Sequence, residues 1–89
     1  MNLPADVSAY KQTPVFTERS VPAGLTKDHA TKEGVWGVIH VQSGRLRYDI
    51  PSLGESHILD EDQPGIIEPQ RSHFVTPQGP VRFYVEFYR

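Results

Sequence analysis

The residues with the greatest capacity for chemistry are four histidines and a scattered set of carboxylates, because the chain contains no cysteine. His73 follows a proline-initiated polar turn, residues 68–72, and Glu68 stands at the entrance of that turn. Pro69 fixes the backbone angle where the turn begins, so the side chains beside it are held in defined directions. A neutral imidazole and a carboxylate at a strand end are typical ligands of a nitrogen/oxygen metal site.

A metal site needs further ligands from elsewhere in the chain, and His29 is the second candidate. It follows Asp28 ahead of a glycine turn, and its imidazole can meet that of His73 if the two strands are neighbours in a barrel. For the third ligand the sequence leaves Glu68 and Glu86 open, with a slight preference for Glu68. The predicted ligands are therefore His29, His73, Glu68 and Glu86, around a divalent ion that could be zinc, nickel, iron or manganese.

Each candidate also has an ordinary structural interpretation. His29 can be a solvated strand residue, and His73 can cap its turn by hydrogen bonding. Either glutamate can form a surface ion pair or accept hydrogen bonds from nearby backbone donors. Of the remaining histidines, His40 is expected to be packed beside apolar neighbours, and His57 is expected to lie on the surface.

The composition indicates one small globular domain and excludes several partners. A chain of 89 residues supports a single domain with a modest core. Its hydrophobic content of 37% is too high for a disordered chain. A net charge of -2 with scattered basic residues argues against binding to nucleic acid or an anionic membrane. The first residues lack a signal-peptide pattern and no apolar run reaches spanning length, so we expect a cytoplasmic protein.

The elements that must position these residues are predicted to be strands. Eight prolines and seven glycines punctuate short segments, and no window has a helical period, which is typical of an all-β sandwich or barrel. Residues 45–50 alternate between apolar and charged side chains, and a hairpin turn is predicted at Ser43 and Gly44. Residues 1–11 are read as an arm and residues 12–89 as the domain. The other predicted strands are 12–17, 25–31, 35–41, 55–59, 65–67, a strand that begins at His73, and 81–88, with a further turn at 76–80.

Four segments together resemble a known family. Residues 10–17 (YKQTPVFT), 27–37 (KDHATKEGVWG), 44–46 (GRL) and 67–73 (IEPQRSH) are similar to the N-terminal domain of TehB proteins and to YeaR-like proteins, a tellurite-resistance-associated family of small cupins. The likeness runs from about residue 10 to the end of the chain. It implies a cupin-like double-stranded β-helix, a short jelly roll.

The resemblance also implies roles for single residues. His29 takes a first-motif histidine position and His73 takes the second-motif one. Gly37 stands where the first-motif glutamate of metal cupins is expected, so the usual four-ligand set is incomplete. In TehB a methyltransferase follows this domain, and since the chain stops at Arg89 we expect no S-adenosylmethionine chemistry from it.

Three functions are therefore open at the level of the sequence. The first is a cytoplasmic cupin-like domain that binds a divalent metal and a small molecule or oxyanion, in tellurite or related oxyanion stress. The second is a metal-dependent enzyme with oxygen or redox chemistry. The third is a metal-free module for dimerisation or partner docking. A homodimer is expected because so small a barrel leaves sheet edges open.

Overall fold

The computed structural model describes residues 3–89 and contains six β-strands and two single-turn 3-10 helices. The all-β class and the single small domain expected from the sequence are confirmed. The strands are β1 (Ala9–Gln12), β2 (Phe16–Thr17), β3 (Trp36–Ile50), β4 (Glu55–Leu59), β5 (Gly65–Ile67) and β6 (Phe74–Tyr88), and the 3-10 helices are Ala23–Leu25 and Pro51–Leu53.

Two long strands, β3 and β6, organise the sheet. They pair antiparallel from Trp36 opposite Tyr88 to Asp49 opposite Phe74. The other edge of β3 pairs with β5 near its start and with β4 near its end. The short strands β1 and β2 both pair with β6. Every pairing in the sheet is antiparallel, so each strand can present one face to the core and the other to solvent.

The hairpin turn predicted at Ser43 and Gly44 is wrong, because both residues lie within β3, which continues to Ile50. The register with β6 shifts on either side of Gly44, which marks two irregularities in the ladder. Gly44 has a φ of +80°, and a Cβ atom there would lie 2.9 Å from the Cα of Val81. The glycine therefore permits close approach of β6 and a bend in the strand. The turn predicted at residues 76–80 is likewise part of β6.

The N-terminal third also departs from the predicted strands. The segment 12–17 is divided between β1 and β2, with Pro14 between them, and residues 9–11 lie in β1 against β6. The strand predicted at 25–31 is wrong, since this segment has only isolated bridges at His29 and Thr31. Its polar residues make few ladder hydrogen bonds, but these two bridges fix it beside the 68–73 turn.

The core lies on the inner face of the sheet, and most of its residues come from the neighbouring strands β3 and β6. Phe83 and Leu46 have no exposed surface, and Tyr48 and Ile50 continue the predicted apolar face of β3. Burial of such side chains stabilises a small domain by about 1.5–3 kcal/mol each. No helix in residues 3–89 has the length and apolar character needed to cross a membrane. The remaining core residues are Ile39, Val41, Leu59, Ile67, Val75, Val81 and Val85.

Candidate ligand-binding site

An open cavity of about 340 Å³ lies beside the core, and two histidines form part of its wall. His29 comes from the segment before β3, and His73 immediately precedes β6. Most of the remaining wall is apolar, because the inner faces of β3 and β6 continue into it. The apolar lining residues include Leu25, Val35, Ile39, Ile67, Val75 and Phe87.

The backbone holds His29 and His73 directly opposite each other. The N–H of His29 donates to the carbonyl of His73 at 3.0 Å, and the N–H of His73 donates to the carbonyl of His29 at 2.8 Å. This antiparallel bridge places the two ring centroids 4.1 Å apart, with an interplanar angle of 55°. The structure thus brings together two imidazoles that are far apart in the chain, and we call them the histidine pair.

The hydrogen bonds of the histidine pair define which ring nitrogens carry protons. Nδ1 of His29 lies 3.1 Å from the carbonyl oxygen of Lys27, and Nδ1 of His73 lies 3.1 Å from that of Arg71. A carbonyl oxygen can only accept, so each Nδ1 must donate, and each Nε2 of a neutral ring keeps its lone pair. Neither Nε2 has a hydrogen-bond partner within residues 3–89, and neither is fully enclosed.

His73 is held in its neutral form by its surroundings. It is only 2% exposed, and this burial lowers its pKa to about 4, an effect reinforced by nearby His29 and opposed by the bond to Arg71. The ring of Tyr48 meets that of His73 edge-on, with centroids 5.6 Å apart. At neutral pH the buried end of the site therefore presents a hydrogen-bond acceptor and no charge.

The two candidate glutamates have other partners. Glu68 accepts a hydrogen bond from Nε of Arg71 at 3.1 Å, within its own turn. Glu86 accepts from the hydroxyl of Tyr88 at 2.7 Å and lies 3.3 Å from Nε2 of His40. Strand alternation explains the position of Glu86, since Val85 and Phe87 line the cavity and the residue between them points to the other face.

The expected function as a metal-binding cupin is therefore wrong. Within residues 3–89 no group of three or more histidine, aspartate and glutamate side chains comes together to hold a metal ion. The histidine pair lacks the carboxylate that Glu68 or Glu86 was predicted to supply, because each is tied to a different partner. A divalent cofactor stays a prediction, without three converging ligands in the described part of the chain to support it.

The other two histidines lie outside the cavity. His40 stacks on Tyr84, with centroids 4.9 Å apart, and contacts Glu86, which agrees with the packed role expected for it. His57 is partly exposed and lies 2.9 Å from a carboxylate oxygen of Glu55.

Sequence reasoning missed two lysines that line the cavity, Lys11 and Lys32. Lys11 lies opposite Phe87 in the ladder between β1 and β6, so both residues belong to the cavity side. The alternation of Lys11 with Thr13 was the available signal, because both line the cavity. This alternation was not recognised, because the segment is mostly polar and few apolar side chains mark one face of the strand.

Comparison with known proteins identifies similar chains. A family model described as the TehB-like domain matches residues 11–85. A probable S-adenosyl-L-methionine-dependent methyltransferase TehB from Haemophilus influenzae (strain Rd) is 35% identical over 75 residues, which is 79% of this chain and 26% of the relative. The TehB of H. influenzae strain 10810 is 33% identical over the same length, with the same coverage. The chain thus spans about a quarter of the length of these curated relatives.

Two solved structures have the same fold. The crystal structure of TehB from H. influenzae superposes with a TM-score of 0.83 at 29% identity, over 94% of this chain and 32% of that one. A structural-genomics crystal structure of a protein from E. coli (strain K12) gives a TM-score of 0.87 at 20% identity, over 100% of this chain and 96% of the other. At that identity the second likeness concerns the fold alone.

Proposed function

The chain belongs to the TehB-like domain family, and we propose that it is a small-molecule-binding domain. The ligand is a compact, mostly apolar molecule that donates a hydrogen bond to the histidine pair. The observation that carries this proposal is that His29 and His73 line an apolar cavity and that the Nε2 atom of each ring has no hydrogen-bond partner in the described part of the chain. Each ring is already oriented by its own Nδ1 hydrogen bond, so the acceptors are positioned before a ligand arrives.

The size and polarity of the cavity restrict the ligand. A volume of about 340 Å³ is near the lower end of the range for small-molecule pockets, roughly 300–1,000 Å³, so the ligand must be compact. Apolar walls favour a hydrocarbon or aromatic body. Two lone pairs facing the ligand repel a fully deprotonated group at that end, so the group that contacts the pair carries an N–H, O–H or S–H bond.

The acceptor pair also suggests a relation to methyl transfer. The curated relatives are named as probable S-adenosyl-L-methionine-dependent methyltransferases. A nucleophile that accepts a methyl group commonly carries a hydrogen before the reaction, and methylation removes that hydrogen. We therefore propose that the domain binds the unmethylated form of its ligand more tightly than the methylated form. A role in stress caused by tellurite or related oxyanions, implied by the family resemblance, belongs to the same proposal.

We also propose the cupin-like double-stranded β-helix as the finer description of the fold. The support is that β3 is hydrogen-bonded along both edges and that the inner faces of the bent sheet enclose a cavity. The likeness to YeaR-like proteins, the homodimer and the cytoplasmic location stay predictions. Sedimentation velocity would show whether the protein is a homodimer in solution.

A pair of fluorescent probes tests the binding function. N-phenyl-α-naphthylamine is neutral, apolar and has one N–H, and its N-methyl derivative has none. We expect the protein to bind the N–H probe roughly 3- to 10-fold more tightly, the worth of one hydrogen bond. The preference should be lost in His73→Phe, which keeps the ring volume, and in His73→Asn, which keeps a donor at the position of Nδ1.

The matched control is His57→Phe, which replaces a histidine outside the cavity and should keep the preference. Circular dichroism establishes that each variant is folded. Equal affinity of the unsubstituted protein for the two probes would refute the proposal, as would a preference that survives in both folded His73 variants.

A further inference from the structure

We propose that the ligand also carries an anionic group, which Lys11 and Lys32 bind at the mouth of the cavity. This inference rests on the proposed small-molecule-binding function and names the class of ligand: a compact apolar acid. Its donor group lies at the histidine pair, and its carboxylate, sulfonate or phosphate group lies at the opposite end, near solvent.

The charged side chains that line the cavity are lysines, and Asp28, which lies near His73, is not among the lining residues. Among the described residues that line it, Lys11 and Lys32 are the only lysines or arginines, and no aspartate or glutamate is present. Neither lysine has a carboxylate within 4.0 Å in the described part of the chain. By contrast, Arg47 and Arg71 are each paired with a nearby acid. Two lysines without an acidic partner on one opening create a field that attracts an anion.

Both lysines project from backbone that is fixed in place. Lys11 lies in β1, opposite Phe87 of β6. Lys32 follows Thr31, whose hydroxyl donates to the carbonyl of Val35 at 2.8 Å. The carbonyl of Thr31 accepts a hydrogen bond from the N–H of Gln70 at 3.1 Å, which ties the segment to the turn before His73. The lysines and the histidine pair are therefore held at defined positions around one cavity.

His73 and the two lysines differ in exposure and in charge, and we infer that this difference orients the ligand. His73 is buried and uncharged at neutral pH, whereas Lys11 and Lys32 are exposed. An ionised group pays a large desolvation cost at the buried end and a small one at the mouth. An apolar acid thus enters with its uncharged donor first and keeps its anion beside the lysines.

The sulfonated form of the first probe tests the inference. 5-Anilinonaphthalene-1-sulfonate has the same aromatic body and N–H as N-phenyl-α-naphthylamine, with one negative charge added on the other ring, away from the N–H. In the double variant K11Q/K32Q we expect the affinity for the sulfonated probe to fall roughly 2- to 30-fold, the range for two solvent-exposed ion pairs. The affinity for the neutral probe should change little, and added salt should reduce the difference between the two probes.

The matched control is the double variant R45Q/R82Q, which removes two positive charges from exposed residues that do not line the cavity. It should leave the affinity for both probes unchanged. An equal loss of sulfonate binding in the two double variants, or no loss in K11Q/K32Q, would overturn the role of the lysines.

The two proposals fail in different ways. One outcome is that N-phenyl-α-naphthylamine binds more tightly than its N-methyl derivative, but binding of the sulfonated probe does not change in K11Q/K32Q. In that case only the anionic group is refuted. If the neutral probe shows no N–H preference in the unsubstituted protein, the small-molecule site proposed above is refuted and this inference is refuted with it.

Discussion

The burial of His73 should make the stability of the domain depend on pH in the weakly acidic range. The ordinary pKa of histidine is 6.5, and burial lowers that of His73 to about 4 in the folded protein. Between these values the unfolded chain binds a proton that the folded chain does not. The free energy of unfolding therefore falls as the pH drops from 6.5 to about 4. At higher pH the contribution of His73 is constant.

The size of the effect follows from the same two values. A pKa that falls from 6.5 to about 4 on folding corresponds to about 3 kcal/mol of unfolding free energy. About 2 kcal/mol of that is already lost near pH 5. Small domains unfold with a total of about 5–15 kcal/mol, so the loss is a large fraction of the whole.

Urea unfolding at a series of pH values measures this contribution, with the fluorescence of Trp36, the single tryptophan, as the signal. His73→Phe keeps an aromatic ring in the core but cannot titrate. The variant should be less stable than the unsubstituted protein at neutral pH, because the hydrogen bond to the carbonyl of Arg71 is lost. On acidification its free energy of unfolding should nevertheless fall by about 3 kcal/mol less than that of the unsubstituted protein.

The comparison isolates His73 because the carboxylates titrate in both proteins. His57→Phe serves as the control for the loss of a histidine with a partly exposed side chain. If the curve of His73→Phe runs parallel to that of the unsubstituted protein, His73 does not stay neutral in the folded state. The tautomer and the open Nε2 acceptor derived from that neutral state would then lose their basis.

Two further predictions concern the sheet. Gly44→Ala should destabilise the domain by about 2–4 kcal/mol in urea unfolding, because φ is +80° and the new Cβ would collide with the carbonyl oxygen of Pro80. Gly79→Ala is its control: φ is +87° but nothing lies within 4 Å, so only the backbone cost of about 1–2 kcal/mol remains, and equal losses would contradict the collision. Glu86→Gln should lower the pKa of Tyr88 toward its ordinary range, since the hydrogen bond to Glu86 is the main cause that raises it. The absorbance of tyrosinate at a series of pH values measures this change, and Glu61→Gln is the control. An unchanged tyrosine titration in Glu86→Gln would contradict the hydrogen bond between Glu86 and Tyr88.

The sequence predicted most reliably where a local pattern and the tertiary structure agree. Leu46, Tyr48 and Ile50 alternate with charged residues, and all three are buried on one face of β3. The bounds of β4 and β5 also match, because glycines, prolines or acidic loops flank both segments. The pairing of His29 with His73 was suggested by a family resemblance and the motif around the 68–72 turn, since periodicity carries no information about contacts between distant residues.

The misses have two physical causes. Long-range pairing overrides the local turn preference at Ser43 and Gly44, and contacts within one turn or one strand hold the two glutamates away from the histidine pair. Ser43 and Gly44 have turn chemistry, but the ladder with β6 continues past this point, with Gly44 at a φ of +80° between two register shifts. Glu68 was predicted to be a metal ligand, whereas it forms an ion pair with Arg71, three residues away in its own turn. Glu86 was kept as a candidate ligand although Phe83 and Phe87, on the opposite face of the same strand, indicated that it points away from the interior.

The dominance of two long strands has a consequence for how the chain assembles. The strands β3 and β6 are separated by residues 51–73, and every other strand pairs with one of them. The entropy of closing that intervening loop must be lost before most hydrogen bonds of the ladder can form. Folding is thus governed by one distant encounter, and the two short N-terminal strands, which pair with β6 across still longer sequence separations, add to the sheet after it.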